Sequence, residues 1–430
     1  MSVPSDGPPS CPGDARPPCG GGAEGAAATS SSSPAPSPLL PSPLPPPSSH
    51  ISGRLRPDGR HSPAAMETAV HVPSGAPAVP KLAVYVDEND VVPGALRLVG
   101  RLRPHWDIRR VKTKLFTDGI TNKLVGCYVG NSMEDVVLVR VYGNKTELFV
   151  DRDNELKSFQ VLHANGCAPK LYCTFQNGLC YEFMHGIALG PQHVREPALF
   201  RLIATELARI HSIHAHNGCI PKPNLWVKMH KYMALVSTEF TPEAKNTRIQ
   251  KEVPPLQTLE REMTWMKQYL SELNSPTVLC HNDLLCKNII YNEKEGWVKF
   301  IDYEYSSYNY QAFDIGNHFN EFAGVNEVDY SLYPDESLQM QWLRTYLEAC
   351  KQFTKKGGEV TDNEVHTLYV QVNKFSLCFC FQASHFFWGF WALIQAKYST
   401  IDFDFLGYSV LRFNQYFKMK PCVTALQTPV

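Results

Sequence analysis

Residues 280–321, CHNDLLCKNIIYNEKEGWVKFIDYEYSSYNYQAFDIGNHFNE, constrain the fold more than any other part of this 430-residue chain. An apolar run, Thr277-Val278-Leu279-Cys280, ends in His281-Asn282-Asp283, and Asn288 follows five residues after Asp283. Ile289 and Ile290 start a second short apolar segment. The polar stretch 293–296 reverses the chain, and Trp297-Val298-Lys299-Phe300-Ile301 delivers Asp302 at its end. Short apolar runs bounded by turn residues read as strands. Two carboxylate-bearing loops are therefore expected to leave neighbouring strands, with Glu304 two residues past the second.

That arrangement suits phosphoryl transfer, which asks a protein to place a hydroxyl nucleophile, hold Mg²⁺ on nucleotide phosphates and neutralise charge as it builds. H-x-D-x-x-x-x-N followed by hydrophobic-hydrophobic-Asp is the pattern of kinase-like catalytic loops. It predicts Asp283 as the base and Asn288 and Asp302 as metal ligands. Asp and Asn are also ordinary turn residues that bond their own backbone. The weight therefore rests on both loops occurring in the right order and spacing.

The rest of the chain falls into two regimes. Nineteen of the 33 prolines lie in the first 80 residues, so residues 1–78 are expected to form a disordered tail too poor in packable side chains to fold. PSPLLPSPLPPPSS within it suits a polyproline II ligand for an SH3-type partner, although a plain solvated tail is the simpler reading. A net charge of −1 gives no reason to expect nucleic acid as a partner. No apolar run is long enough for a transmembrane helix, and no secretory leader is expected. Thirteen cysteines without C-x-x-C spacing suit reduced thiols in a cytoplasmic protein.

From residue 79 the periodicity is that of a folded domain. Strands are expected at 81–87, 112–116, 124–129, 136–143, 168–175 and 179–183, with helices at 93–102 and 147–164. Arg140 sits inside an apolar run and needs an anionic partner, for which Glu155 on the following helix is the candidate. After residue 187 the chain turns helical, with amphipathic segments at 197–214 and 256–273 around a loop-rich stretch, 217–255. His211, His214 and His216 do not share one helical face, so cations at a helix C-terminus describe them better than a zinc site.

The segments HNDLLCKNIIYN, FIDYEYSSYNYQAFDIGNHFNEFAG and SHFFWGFWALIQAKYSTIDFDF resemble the choline/ethanolamine kinase family, over about residues 80–425. The catalytic loop is nearer the ethanolamine branch, since the choline branch carries Gln-Glu-Gly at the positions of Leu285, Cys286 and Lys287. The resemblance implies an α+β, protein-kinase-like bilobal fold. A small strand-rich N-lobe (79–187) would bind ATP, and a larger helical C-lobe (188–430) would carry the catalytic loop and amine pocket. The implied reaction is ATP-dependent phosphorylation of ethanolamine with Mg²⁺. Nucleotide contacts would come from Gly119, Ile120, Thr121, Asn122 and Lys123 in a hairpin tip, from Arg140 with Glu155, and from Glu182 in the link between lobes. The amine would meet Glu304, Tyr305, Glu321, Trp388, Trp391, Phe403, Phe405 and Tyr408, because a small ammonium belongs among carboxylates and aromatic faces.

One departure stands out. NKFSLCFCFQASHFFWGFW is longer than the family pattern by about five residues, around 378–382. Five extra helical residues would rotate the downstream segment by roughly 140°, so either a loop or bulge absorbs them or Trp388 and Trp391 face differently; weakened activity, restored by deleting 378–382, is the expectation. Choline or another small amine is an alternative substrate. A catalytically silent scaffold with an interacting tail is the alternative of another class.

Overall fold

Alternating burial along short strands builds the first sheet. Its strands are β1 (Lys81–Leu82), β2 (Val111–Phe116), β3 (Asn122–Val129), β4 (Val137–Tyr142), β5 (Leu171–Phe175) and β6 (Gly178–Glu182), in the spatial order β1-β5-β6-β4-β3-β2. β1 runs parallel to β5, and all other neighbours are antiparallel. The computed structural model describes residues 70–116, 122–131, 133–236, 240, 243–324, 328–376, 382–399 and 401–423, all within one unit, Arg60–Val430.

Period-two alternation sends Val137, Val139 and Val141 of β4 to one face. There they pack with Val125, Cys127, Cys173 and Cys180 against Val91, Ala95, Leu98 and Val99 of helix α1 (Val91–Leu102). Leu138 and Arg140 take the opposite face, toward helix α2 (Arg152–Ala164). The β5–β6 turn is tight: a Cβ at Gly178 would strike the Arg140 carbonyl and the Phe175 ring.

Two expectations for this part shift. Of the strand expected at 81–87, only Lys81–Leu82 pairs as a strand. Beyond it the chain follows the β5–β6 turn, where the Asn177 carboxamide accepts from the Val86 N–H (3.1 Å) and donates to its carbonyl (2.7 Å). The helix expected at 147–164 begins at Arg152. Lys145 is left-handed (φ 60), a 3-10 turn covers Thr146–Leu148, and Asp151 caps α2 by accepting from the Asn154 N–H.

The remaining chain gives β7 (Ile187–Ala188), α3 (Pro197–His211), α4 (Leu225–Leu235), α5 (Glu243–Glu252), α6 (Leu256–Ser271), β8 (Thr277–Cys280), β9 (Ile289–Asn292), β10 (Trp297–Phe300), β11 (Ser307–Tyr310), α7 (Gln311–Asn320), α8 (Glu336–Phe353), α9 (Asp362–Ser376), α10 (Gln382–Tyr398) and α11 (Phe405–Val423). The stretch expected to be loop-rich, 217–255, therefore carries two helices. In α4 the buried residues Leu225, Trp226, Met229 and Tyr232 recur at helical spacing, whereas α5 buries none. β10, β9 and β7 form a three-stranded sheet, and β11 pairs with β8. Gly186 makes β7's entry possible: its φ is +153, and a Cβ there would overlap the Tyr291 carbonyl. No helix among the described residues is long and apolar enough to cross a membrane.

Candidate active site

The turn after β8 is rigid because its first two backbone donors share one buried acceptor. Asp314, in the first turn of α7, accepts from the His281 N–H (2.8 Å), the Asn282 N–H (2.6 Å) and the His211 ring (2.9 Å). Burial alone would raise the Asp314 carboxyl, but His211, His281 and these bonds hold it below its ordinary value. His211 is thus a brace, and its other ring nitrogen meets the Tyr346 hydroxyl at 2.7 Å. Asn282 adopts a left-handed conformation (φ 67) and uses its carboxamide on the Tyr305 carbonyl, the Ser307 hydroxyl and the Asn309 side chain.

Asp283 leaves this turn as a buried side chain whose carboxyl pKa is pushed well above the usual range. Desolvation is the chief cause; Asp302, Glu321 and Glu304 add to it, and Lys228 opposes it. Asn288 donates to the Asp283 carbonyl at 2.9 Å, and the Ile301 N–H donates to the Asn288 carbonyl at 2.9 Å. The two loops expected from the spacing are therefore tied together. Asp302 stands at the end of β10 in the left-handed region (φ 67), with about a third of its side chain exposed.

Arg140 crosses the sheet face to meet these loops. Its guanidinium lies 2.9 Å from Asp302, 3.2 Å from Glu155 and in direct contact with Glu304. Arg152, stacked 3.7 Å over the Tyr142 ring, also bonds Glu155 (2.8 Å) and Glu304 (3.1 Å). Glu304 accepts from Asn122 as well (3.1 Å). Burial pushes Glu304 upward, but both arginines and Asn122 more than offset it, so its pKa is lowered. Asp302 goes the other way, to about 6: desolvation outweighs Arg140, and Glu304 and Glu155 add repulsion. Two guanidiniums thus face three carboxylates. Asp302 and Asn288 both offer oxygen donors, a chemistry that suits a hard divalent cation such as Mg²⁺.

This placement moves Glu304 away from its expected partners. It was expected at the amine, yet its carboxylate is committed to Arg140, Arg152 and Asn122. Glu155 does orient Arg140. Of the expected hairpin-tip residues, Gly119, Ile120 and Thr121 lie outside the described residues, while Asn122 and Lys123 open β3. Glu182 closes β6, where its N–H donates to the Lys170 carbonyl (2.9 Å) and its side chain accepts from the Lys170 N–H. A cleft of about 460 Å³, lined by Tyr85, Tyr142, Lys145 and Arg152 among others, includes none of the residues expected to touch nucleotide.

The aromatic residues expected around the amine do converge, as a packed layer. Trp391 donates to the Tyr305 hydroxyl (3.0 Å), and Trp388 donates to Asn317 (2.9 Å) while meeting the Tyr305 ring edge-on. Trp391 also packs on Phe405, which touches Phe403, and Phe403 touches Tyr408. The extra residues have not turned the tryptophans away. α9 ends at Ser376 and α10 restarts at Gln382, and 377–381 between them lie outside the described residues. Glu321 is buried with its carboxyl raised to about 7 by desolvation, against which the Arg412 charge acts only partly.

Four participants escaped the sequence reading: Arg152, Lys228, Asn317 and Arg412. Arg152 was hidden by placing the helix start too early, and Lys228 by reading 217–255 as loop. The helical recurrence of apolar residues in α4 was the available signal. Arg412 bonds the Tyr408 hydroxyl and the His385 ring from a late helix that has no motif of its own.

The choline/ethanolamine kinase family model matches residues 113–417. Human ethanolamine kinase 1 is 68% identical over 368 residues, which is 85% of this chain and 80% of that protein. Human ethanolamine kinase 2 is 61% identical over 374 residues, 86% and 93% of the two chains. Among solved structures, an ethanolamine kinase from Plasmodium vivax superposes with a TM-score of 0.64 at 28% identity, covering 77% of this chain and 89% of that one.

Proposed function

The chain belongs to the choline/ethanolamine kinase family, and we propose that it transfers the γ-phosphoryl group of ATP to the hydroxyl of ethanolamine, the first step toward an ethanolamine phospholipid. The observation that carries this reading is the junction of Asp283, Asn288 and Asp302 with the Arg140–Glu155 pair at the meeting of the first sheet and the catalytic turn. Asp283 accepts the hydroxyl proton as the oxygen attacks phosphorus. Its raised pKa fits a base that must hold that proton until product leaves.

Asn288 and Asp302 would hold Mg²⁺, which when bound draws negative charge from the phosphate oxygens. Arg140 is kept extended toward the phosphates by Glu155, and Glu304 with Arg152 keeps that arginine in place. Gly119, Ile120, Thr121, Asn122 and Lys123 would cover the phosphates, with Glu182 near the base. On the amine side, Glu321 offers a carboxylate, with Tyr305, Trp388, Trp391, Phe403, Phe405 and Tyr408 as apolar walls. The lobes divide near residue 187, and the 1–78 tail is proposed as an appendage carrying an SH3-type ligand. Cys127, Cys167, Cys173, Cys180, Cys219, Cys280, Cys286 and Cys350 are free thiols, which fits a cytoplasmic site of action.

The test is phosphate transfer from Mg²⁺-ATP to ethanolamine and to choline in parallel. Ethanolamine turnover exceeding that with choline is the expected result. Faster choline turnover would change the substrate, and turnover of neither would end the kinase reading.

A further inference from the structure

Lys228 is a positive charge to which the proposed phosphoryl transfer assigns no role. It projects from α4, and its Nζ lies 4.9 Å from the centroid of the Tyr305 ring. Among the described residues its ammonium forms no ion pair with a carboxylate and no hydrogen bond. Asp302, Glu321 and Glu304 all push the Asp283 pKa up, and Lys228 is the cation that pulls against them. It also lines a cavity of about 10 Å³ beside Asn282, Ser307 and Asn309, room for about one water. Burial and the neighbouring Lys231 bring its own pKa down to about 8, so it remains mostly charged at neutral pH.

Tyr305 is where the aromatic layer joins the catalytic turn: Trp391 holds its hydroxyl and Trp388 meets its edge. The two amine classes need different things there. A primary ammonium has three N–H donors and can be held by carboxylates and carbonyls. A trimethylated ammonium has none and depends on open aromatic faces. A lysine already over the Tyr305 face costs the second class a wall and a like-charge repulsion, while the first can bind toward Glu321 instead.

We propose that Lys228 is a specificity-determining residue: its ammonium occupies the cation position on Tyr305 and thereby biases the pocket toward primary over quaternary amines. This rests on the ethanolamine kinase reading of the same site.

The experiment compares the full chain with Lys228→Met, which keeps the stem and removes the charge, and with Lys231→Met as a surface-charge control. Lys228→Gln repeats the readout should the Met variant fold poorly. The ratio of kcat/KM for choline to that for ethanolamine should rise at least about fivefold in the Lys228 variants, the lower end of the scale of one cation–π contact, and should stay at the wild-type value in Lys231→Met. A smaller rise, or one produced only by loss of ethanolamine turnover, overturns the proposal. Titration calorimetry with tetramethylammonium chloride separates this failure from failure of the kinase reading. Even if the wild type turns over neither amine, Lys228→Met should bind that ion at least about fivefold more tightly, and an unchanged Kd overturns the assignment.

Discussion

Two clusters of buried acids lie close together, and they differ in how their charge is met. Around Arg140, the carboxylates Glu155, Asp302 and Glu304 share two guanidiniums, and Glu304 is held ionised. Around the catalytic turn, Asp283 and Glu321 are buried with raised pKa values, and the cations acting on them, Lys228 and Arg412, do not restore the ordinary range. The first cluster is met mostly by the protein's own guanidiniums and sets geometry, with the Asp302 carboxyl left raised. The second lacks positive charge that a cationic substrate and a metal would bring. Removing a group should therefore harm stability in the first cluster and improve it in the second, and mutations can test that asymmetry.

The largest effect belongs to Asp283→Asn. A positioned base contributes about 10²- to 10⁴-fold, and a loss of that order in steady-state ADP release is expected, with nucleotide-induced thermal stabilisation retained. The variant should also melt no lower than wild type, since it discards a buried carboxylate with little compensation. A lower melting temperature together with intact activity would place Asp283 in the structural cluster instead.

Arg140→Met comes next, on the other side of the comparison. It leaves the buried Glu155 and Glu304 with Arg152 alone between them, and breaking a buried ion pair from one side costs about 3–5 kcal/mol. Urea unfolding should show that loss at neutral pH. Near pH 4 the loss should be smaller, because protonating the stranded acids relieves it. A neutral substitution would mean that the network is not what holds β4 against α2.

Glu321→Gln should do the reverse. The folded-state pKa of Glu321 is raised to about 7, above its ordinary 4.5. Below 4.5 the side chain is protonated in both states and the variant gains nothing. Between pH 4.5 and 7 the unfolded chain ionises this group while the folded wild type keeps it protonated, so wild-type stability falls relative to the variant across that window and levels off once the folded pKa is passed. At about 1.4 kcal/mol per pH unit the gain reaches roughly 3 kcal/mol at about pH 8. Thermal melts of both proteins at about pH 5 and pH 8 measure it, and the KM for ethanolamine should rise in parallel. A variant less stable than wild type at the higher pH would put Glu321 among the paired acids.

The catalytic turn was legible because its chemistry is local in sequence: Asp283, Asn288, Asp302 and Asp314 lie close together along the chain, beside strands with plain apolar signatures. The sheet and α1 were legible for the same reason of periodicity. Glu304 and Tyr305 were expected together at the amine, and their side chains part because successive residues in a 3-10 turn point apart. One meets Arg140 and the other meets Trp391. Arg152 and Lys228 could not be assigned from pattern alone, since a helical cation is ordinarily solvated. Only the fold brings them to Glu304 and Tyr305, far along the chain from either.

The smallest expected effect concerns residues 378–382. Had the extra length propagated through a continuous helix, the rotation would have carried Trp388 and Trp391 off the site. Instead both indole N–H groups are used on site residues, Asn317 and Tyr305, and Ser384 bonds Asn317 as well (2.7 Å). α10 is thus registered by three polar contacts downstream of the added stretch, of which 378–381 lie outside the described residues. Longer connections cost only slowly growing closure entropy. Deleting 378–382 should therefore change ethanolamine turnover by less than about threefold and stability by under roughly 1 kcal/mol. A much larger gain in activity would show that the added length strains α10, and would move these residues from tolerated insertion to a brake on the amine pocket.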